Sequence, residues 1–165
     1  MLPSIGIRSL KRALEIEGIH HVTQDDIQQR SQLIRAKLVT TLHCNALNNH
    51  PIEKEAVPLF DIVQTNFVAE SITSSQDVWE QAIANIITLL KPHGLFIMTA
   101  LKNAGYYHIV SKRFPAVKID EKQIYEMLLR LEFPSDKITS QTIQATSPYR
   151  GYDGFLFITA QKGMD

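Results

Sequence analysis

Cysteine, excess charge and long apolar runs are all scarce in this chain of 165 residues. Cys44 is its only cysteine, so neither an intrachain disulfide nor a C-x-x-C zinc site can form, and a reducing compartment fits best. Lys and Arg number 17 and Asp and Glu number 17, leaving no net charge. That balance argues against a nucleic-acid partner held by phosphate neutralisation, and equally against an anionic membrane. The densest apolar stretch, Gly94 to Leu101, falls far short of the ~20 residues that cross a bilayer. Arg8, Lys11 and Arg12 leave no room for a signal-peptide core. The chain is therefore expected to be soluble and cytoplasmic.

Motifs are scarce too. There is no repeat and no low-complexity tract, which excludes solenoids and linker arrays. The glycines form neither G-x-G-x-x-G nor G-x-x-x-x-G-K, and no serine sits in G-x-S-x-G. Six histidines are present, at positions 20, 21, 43, 50, 93 and 108, without the spacing of H-x-x-x-H or H-E-x-x-H. No metal site is expected.

What remains is the composition of one ordinary domain, 44% apolar and 21% charged. Ile7, Leu10 and Leu14 follow helical spacing up to Gly18, and Thr23 can cap a second helix running through Ile27 and Ile34 to about Lys37. Leu38 to Cys44 reads as a strand, as does Phe60 to Thr65. The Thr73–Gln76 segment carries a capping pattern before the stripe Trp79, Ala82, Ile83, Ile86, Ile87 and Leu90. Lys91 is expected in the last turn of that helix, with Pro92 and Gly94 ending it. Leu95 to Leu101 reads as a strand buried on both faces. A further helix opens at Asp120 and buries Ile124, Met127, Leu128 and Leu131. Ile138 to Thr146 and Gly154 to Ala160 are strands. The alternation predicts an α/β fold with a parallel sheet whose final pair can be antiparallel.

Few residues stand out for chemistry. Cys44 ends a predicted strand, where α/β folds bind ligands, but its thiol reads more simply as buried and inert. Glu70 lies just beyond the Phe60–Thr65 strand, and a solvated loop acid is an equally good reading. Tyr106 and Tyr107 follow the Leu95–Leu101 strand at the same edge; they suit packing, or an aromatic or cationic ligand.

Phe60-Asp61-Ile62-Val63, then Asn66 to Ser71, then Ala82 to Leu90 with Lys91-Pro92-His93-Gly94, resemble a class I S-adenosylmethionine-dependent methyltransferase. Ala100-Leu101-Lys102, Tyr106-Tyr107, Phe114 and the tail Gly154 to Lys162 are similar to the nicotinamide, phenylethanolamine and thioether/indolethylamine N-methyltransferase family. Leu14 to Gly18 resembles that family's leucine–glutamate–glycine step. The resemblance implies a Rossmann-like sheet with an antiparallel last strand, with residues 1–165 forming a single partial domain. It implies methyl transfer from S-adenosylmethionine to the nitrogen of a small amine or pyridine. It places Asn45 and Ala46 at the adenine, though the family usually has aspartate where Asn45 stands. Asn66 falls beside the cofactor and Phe67 beside the acceptor ring. Glu70, Ser71, Thr99, Ala100 and Tyr107 fall in the acceptor pocket, with Glu70 and Tyr107 as the catalytic candidates.

The departures from the family are informative. Its glycine-rich loop and its ribose-binding acid, on the first two strands, have no counterpart here. His93 replaces a family glycine, and Thr99 stands where some members carry an acid. The chain therefore resembles the C-terminal part of a methyltransferase. In the family's strand order the absent strands lie between Leu38–Cys44 and Phe60–Thr65. An unpaired edge is expected there, with low stability, self-association or a separate N-terminal half as partner. Little or no turnover by this chain alone is expected, and a non-catalytic fragment or interaction module is the alternative.

Overall fold

The computed structural model describes residues 4–52, 58–146 and 151–164. Contacts divide the chain into two compact units, Met1–Leu42 and His43–Asp165.

The first unit is a pair of helices, α1 (Ser4–Ile16) and α2 (Gln24–Lys37). Gly18, at φ +95°, takes the left-handed conformation that ends α1 cheaply. Thr23 and Asp26 form a reciprocal capping box at the start of α2. Arg30 pairs with Glu17 across the turn. Leu14 and Ile27 are buried, whereas Ile34 is exposed.

The second unit holds β1 (Phe60–Asn66), α3 (Gln76–Ile87), β2 (Leu90–Lys102), β3 (Tyr106–Ile109), β4 (Lys112–Pro115), α4 (Glu121–Arg130), β5 (Ile138–Gln144) and β6 (Gly154–Gln161). Its main sheet has the order β1-β2-β6-β5. β1 and β2 are parallel, and β6 runs antiparallel to both β2 and β5. The expected antiparallel last strand is thus present, and the mixed α/β class is as expected. β3 and β4 form a separate hairpin that the sequence reading missed. One apolar cluster joins Trp79, Ile83 and Ile86 of α3, Ile124, Met127 and Leu128 of α4, and Phe96, Met98, Leu156 and Ile158 of the sheet. Both helices therefore cover the same sheet face.

Three expectations are corrected. Leu38 to Cys44 is not a strand: no described strand lies beside it to complete a ladder, and Leu38 and Val39 are exposed. Leu90 and Lys91 belong to β2 rather than to the preceding helix, which stops at Ile87. Phe60 faces Leu90 and Ile62 faces Leu95, so Lys91–Gly94 bulges out of the ladder, with His93 at φ +59°. Gly94 suits this bulge, because a Cβ would lie 2.9 Å from the Lys91 carbonyl oxygen and 2.6 Å from Leu90 Cδ1, so something would have to shift. Finally, β2 is fully buried on one face only: Phe96, Met98 and Ala100 are sealed, but Leu95, Ile97, Thr99 and Leu101 are half-buried. Among the described residues no helix is long and apolar enough to cross a membrane.

Candidate active site

The carboxyl ends of β1 and β2 gather most of the expected residues. Phe67, at φ +54°, turns the chain sharply as it leaves β1, and its N–H donates to the Thr99 carbonyl at 2.9 Å. A single 3-10 turn, Ala69–Ser71, then carries Glu70 inward. Glu70 is only 1% exposed, so the solvated-loop reading does not hold. Its Oε1 accepts a long bond from the Leu101 N–H at 3.4 Å, and its carbonyl accepts from the Val117 N–H at 3.0 Å. Oε2 has no partner. Burial pushes the Glu70 carboxyl up to about 7, because the charged form is poorly solvated there.

Tyr107, on β3, donates its hydroxyl to the Ser71 carbonyl at 3.2 Å and stacks on Phe114 at 5.4 Å. Thr99 donates to Asn66 Oδ1 at 2.8 Å. Ala100, the next residue on β2, is fully buried opposite Leu156 of β6. Asn66, Phe67, Glu70, Ser71, Thr99, Ala100 and Tyr107 therefore converge on one end of the sheet.

Asn45 and Ala46 stand apart, beside α3. The Asn45 side chain accepts from the Leu47 N–H at 3.1 Å, closing a tight turn. Asn85 Nδ2 donates to the Ala46 carbonyl at 2.9 Å and is itself held by Gln81. Asn85 was missed in the sequence, although a polar residue on an otherwise apolar stripe is a signal. The turn and β1 enclose a cleft of about 680 Å³, whose lining includes Asn45, Ala46, Leu47, Gln64, Asn66 and Ile86. None of Phe67, Glu70, Ser71, Thr99, Ala100 or Tyr107 lines it. Asn66 alone joins the two groups, lining the cleft and accepting from Thr99. Cys44 is exposed at the cleft's rim, not buried as expected, since the strand that would have enclosed it does not form. Among the described residues no three His, Cys, Asp or Glu side chains are grouped to hold a metal ion.

A sequence profile of the NNMT/PNMT/TEMT family matches residues 7–163. The chain belongs to this family. It is 27% identical over 157 residues to indolethylamine N-methyltransferase of Oryctolagus cuniculus, covering 93% of this chain and 57% of that protein. Indolethylamine N-methyltransferase of Mus musculus is 23% identical over 154 residues, with the same coverage. This NNMT/PNMT/TEMT chain thus spans little more than half the length of the relatives it matches. Among solved structures, it resembles a SAM-dependent methyltransferase from Methanosarcina mazei with a TM-score of 0.55, at 14% identity over 72% of this chain and 66% of that one. N-methyltransferase NodS from Bradyrhizobium japonicum WM9 gives 0.51 at 16% identity, covering 87% and 71%. These likenesses establish the class I methyltransferase fold.

The family's methyl donor, S-adenosylmethionine, has an adenine, a ribose and an amino-acid end. Apolar Ala46, Leu47 and Ile86 beside the amides of Asn45 and Asn66 suit a flat heteroaromatic base. No carboxylate lines the cleft to take ribose hydroxyls, and no Lys or Arg to take a carboxylate. The cleft's lining suits an adenine, and it offers neutral polar groups but no carboxylate, lysine or arginine for the remainder.

Proposed function

We propose that this chain is the acceptor-binding part of an S-adenosylmethionine-dependent N-methyltransferase acting on a small amine or pyridine, nicotinamide-like in size, with residues 1–165 as one partial methyltransferase domain. The observation that supports the reading is that Glu70, Ser71, Thr99 and Tyr107 lie at one end of the sheet, the Glu70 carboxyl buried against the Leu101 N–H. When bound, the cofactor supplies an electrophilic methyl group. The protein's part is to place a neutral nitrogen in line with it and to exclude water. Glu70, once ionised, offsets the positive charge that develops on the attacking nitrogen. Tyr107, stacked on Phe114, offers a flat aromatic wall for the acceptor. Asn45, Ala46 and Asn66 hold the adenine end.

A second reading, a non-catalytic fragment or interaction module, is favoured by the missing ribose and amino-acid contacts. Each lost charged hydrogen bond costs about 1.5–3 kcal/mol, so several together weaken cofactor binding by orders of magnitude. Calorimetric titration with S-adenosylmethionine, and methyl-transfer assays with nicotinamide and a panel of aromatic amines, separate the two. The chain alone is expected to turn over far below about 1 per second. Turnover that returns with a separately expressed N-terminal half supports the first reading, and silence in both supports the second.

A further inference from the structure

Residues 103–119 form an excursion from the end of β2 that is closed at its neck and carries the β3–β4 hairpin. The Asn103 N–H donates to the Ile119 carbonyl at 2.8 Å, and the Ala116 N–H to the Gly105 carbonyl at 3.2 Å. Tyr107 and Val117 tie its base to the Ala69–Ser71 turn through the Ser71 and Glu70 carbonyls. Beyond that base the tip is bare: Ile109 is 55% exposed and Val110 98% exposed. Ile109 pairs with Lys112, so Val110 and Ser111 make a two-residue turn. Such turns favour glycine, asparagine or aspartate wherever φ is positive. Val110 sits there at φ +55°, a strained conformation for a β-branched side chain. An apolar side chain is thus held in water at the position where glycine or asparagine would relieve the turn.

The charge around this tip is one-sided. Between positions 103 and 119 there is no Asp or Glu, while Lys112, Arg113 and Lys118 are all present and exposed. The chain as a whole is neutral, so the remainder carries the compensating acid excess and the hairpin is a local positive pole. Cross-strand partners point to the same face of a hairpin, and successive pairs to opposite faces. Ile109 and Lys112 therefore share one face with Tyr107 and Phe114, while His108 and Arg113 take the other. Cations thus stand on both faces immediately behind the apolar tip. Arg113 lies over the Tyr106 ring at 3.8 Å. No ion pair among the described residues engages Lys112, Arg113 or Lys118.

We propose that the β3–β4 tip is an anchor for a lipid surface carrying anionic headgroups. Val110 and Ile109 enter the boundary between headgroups and acyl chains, and Lys112 and Arg113 meet the anionic headgroup oxygens. The dimensions agree. A strand rises about 3.4 Å per residue, so the His108–Arg113 pair lies about 7 Å behind the tip. Interfacial elements bury their apolar side about 5–10 Å deep, which leaves both cations at headgroup level. An acidic protein partner would account for the cations, but it would have to offer a socket for a protruding valine. A bilayer needs none. The anchor combines two weak signals, a short apolar tip and a few charges, so binding is reversible and falls as salt rises. The neutrality of the whole chain does not oppose it, because screening confines the attraction to charges within about 8–10 Å of the surface.

The test is sedimentation of the full chain with vesicles of phosphatidylcholine alone or of phosphatidylcholine mixed with phosphatidylserine. The expected result is co-sedimentation with the mixed vesicles, at least about fivefold weaker without phosphatidylserine and reversed by high salt. Val110→Asn removes the apolar tip and suits a positive φ. That variant should unfold at the same or a higher urea concentration, while its vesicle binding falls by about tenfold. Ile109→Ser is expected to weaken binding by a similar factor of about ten, and Lys112→Gln by about fivefold on the mixed vesicles only. Three results overturn the proposal: no sedimentation with mixed vesicles, equal binding by the wild-type chain and Val110→Asn, or equal binding to both kinds of vesicle. Polyglutamate that binds the wild-type chain and Val110→Asn alike, where vesicles do not bind, also overturns it and assigns the cations to an acidic protein. Methyl transfer enters none of these readouts.

Discussion

Glu70 and Glu121 lie on opposite sides of the ordinary carboxylate range, for opposite reasons. Glu70 is raised from 4.5 to about 7 by burial. Glu121 is lowered from 4.5 to about 2, chiefly by the Lys102 ammonium at 2.7 Å and then by the Thr142 hydroxyl. For Glu70 the folded state holds the proton more tightly than the unfolded state. Its contribution is fully present below about pH 4.5 and is lost as pH rises through about 7. The shift corresponds to a loss on the order of 3 kcal/mol. For Glu121 the contribution is present above about 4.5 and is lost as pH falls toward about 2. Together the two carboxyls favour greatest stability near mildly acid pH. Urea unfolding from pH 4.5 to 8 should show a falling midpoint in the wild-type chain, and Glu70→Gln should flatten that fall. Equal slopes in both proteins would show that Glu70 titrates normally. The same ionisation has a functional side: if Glu70 offsets the charge developing on the attacking nitrogen, methyl transfer must rise with pH through about 7.

At the level of elements, α4 depends on a local device. The Asp120 side chain accepts from the Gln123 N–H at 2.8 Å, and Gln123 returns a bond to the Asp120 N–H at 3.0 Å. Asp120→Ala should cost about 1 kcal/mol and lower the thermal midpoint by about 3 °C, measured by calorimetry. An unchanged midpoint would mean that packing of Ile124, Met127 and Leu128 alone holds the helix. Devices of this kind are what the sequence makes legible: the caps at Thr23, Ser75 and Asp120 and the apolar stripes of α3 and α4 can be read within a dozen residues. Strands are less so, because a strand exists only where a neighbour completes it. Leu38–Cys44 has the composition of a strand but no partner among the described residues, while Leu90 is drawn into β2 by Phe60 across the ladder despite Pro92 and Gly94 just beyond it. The β3–β4 hairpin escaped notice because Tyr106, Tyr107, Lys112 and Arg113 show no apolar alternation. It is held instead by Arg113 over the Tyr106 ring at 3.8 Å and by the Tyr107–Phe114 stack. The grouping at the sheet's end was legible as positions but not as environments. Glu70 could be placed at the sheet's end from its spacing after β1, whereas its burial arises from Leu101 and Val117, more than thirty residues away.

The whole molecule consists of two units of unlike make-up. The first is a helical pair and the second a sheet with both of its helices on one face. Family membership rests on a match running through both, from residue 7 to residue 163. Trp79, fully buried in the second unit, is the chain's only tryptophan, and residues 1–42 contain no phenylalanine, tyrosine or tryptophan. More than half of the described α-helical residues lie in that aromatic-free stretch. Tryptophan emission is therefore blind to the first unit, while far-ultraviolet circular dichroism is dominated by it. If the units unfold independently, a thermal scan followed by both signals should give two curves that do not superimpose, the fluorescence tracing only the core around Trp79. Superimposable curves would show that the helical pair and the sheet melt as one cooperative body. A single optical probe would report the stability of one unit under the name of the whole.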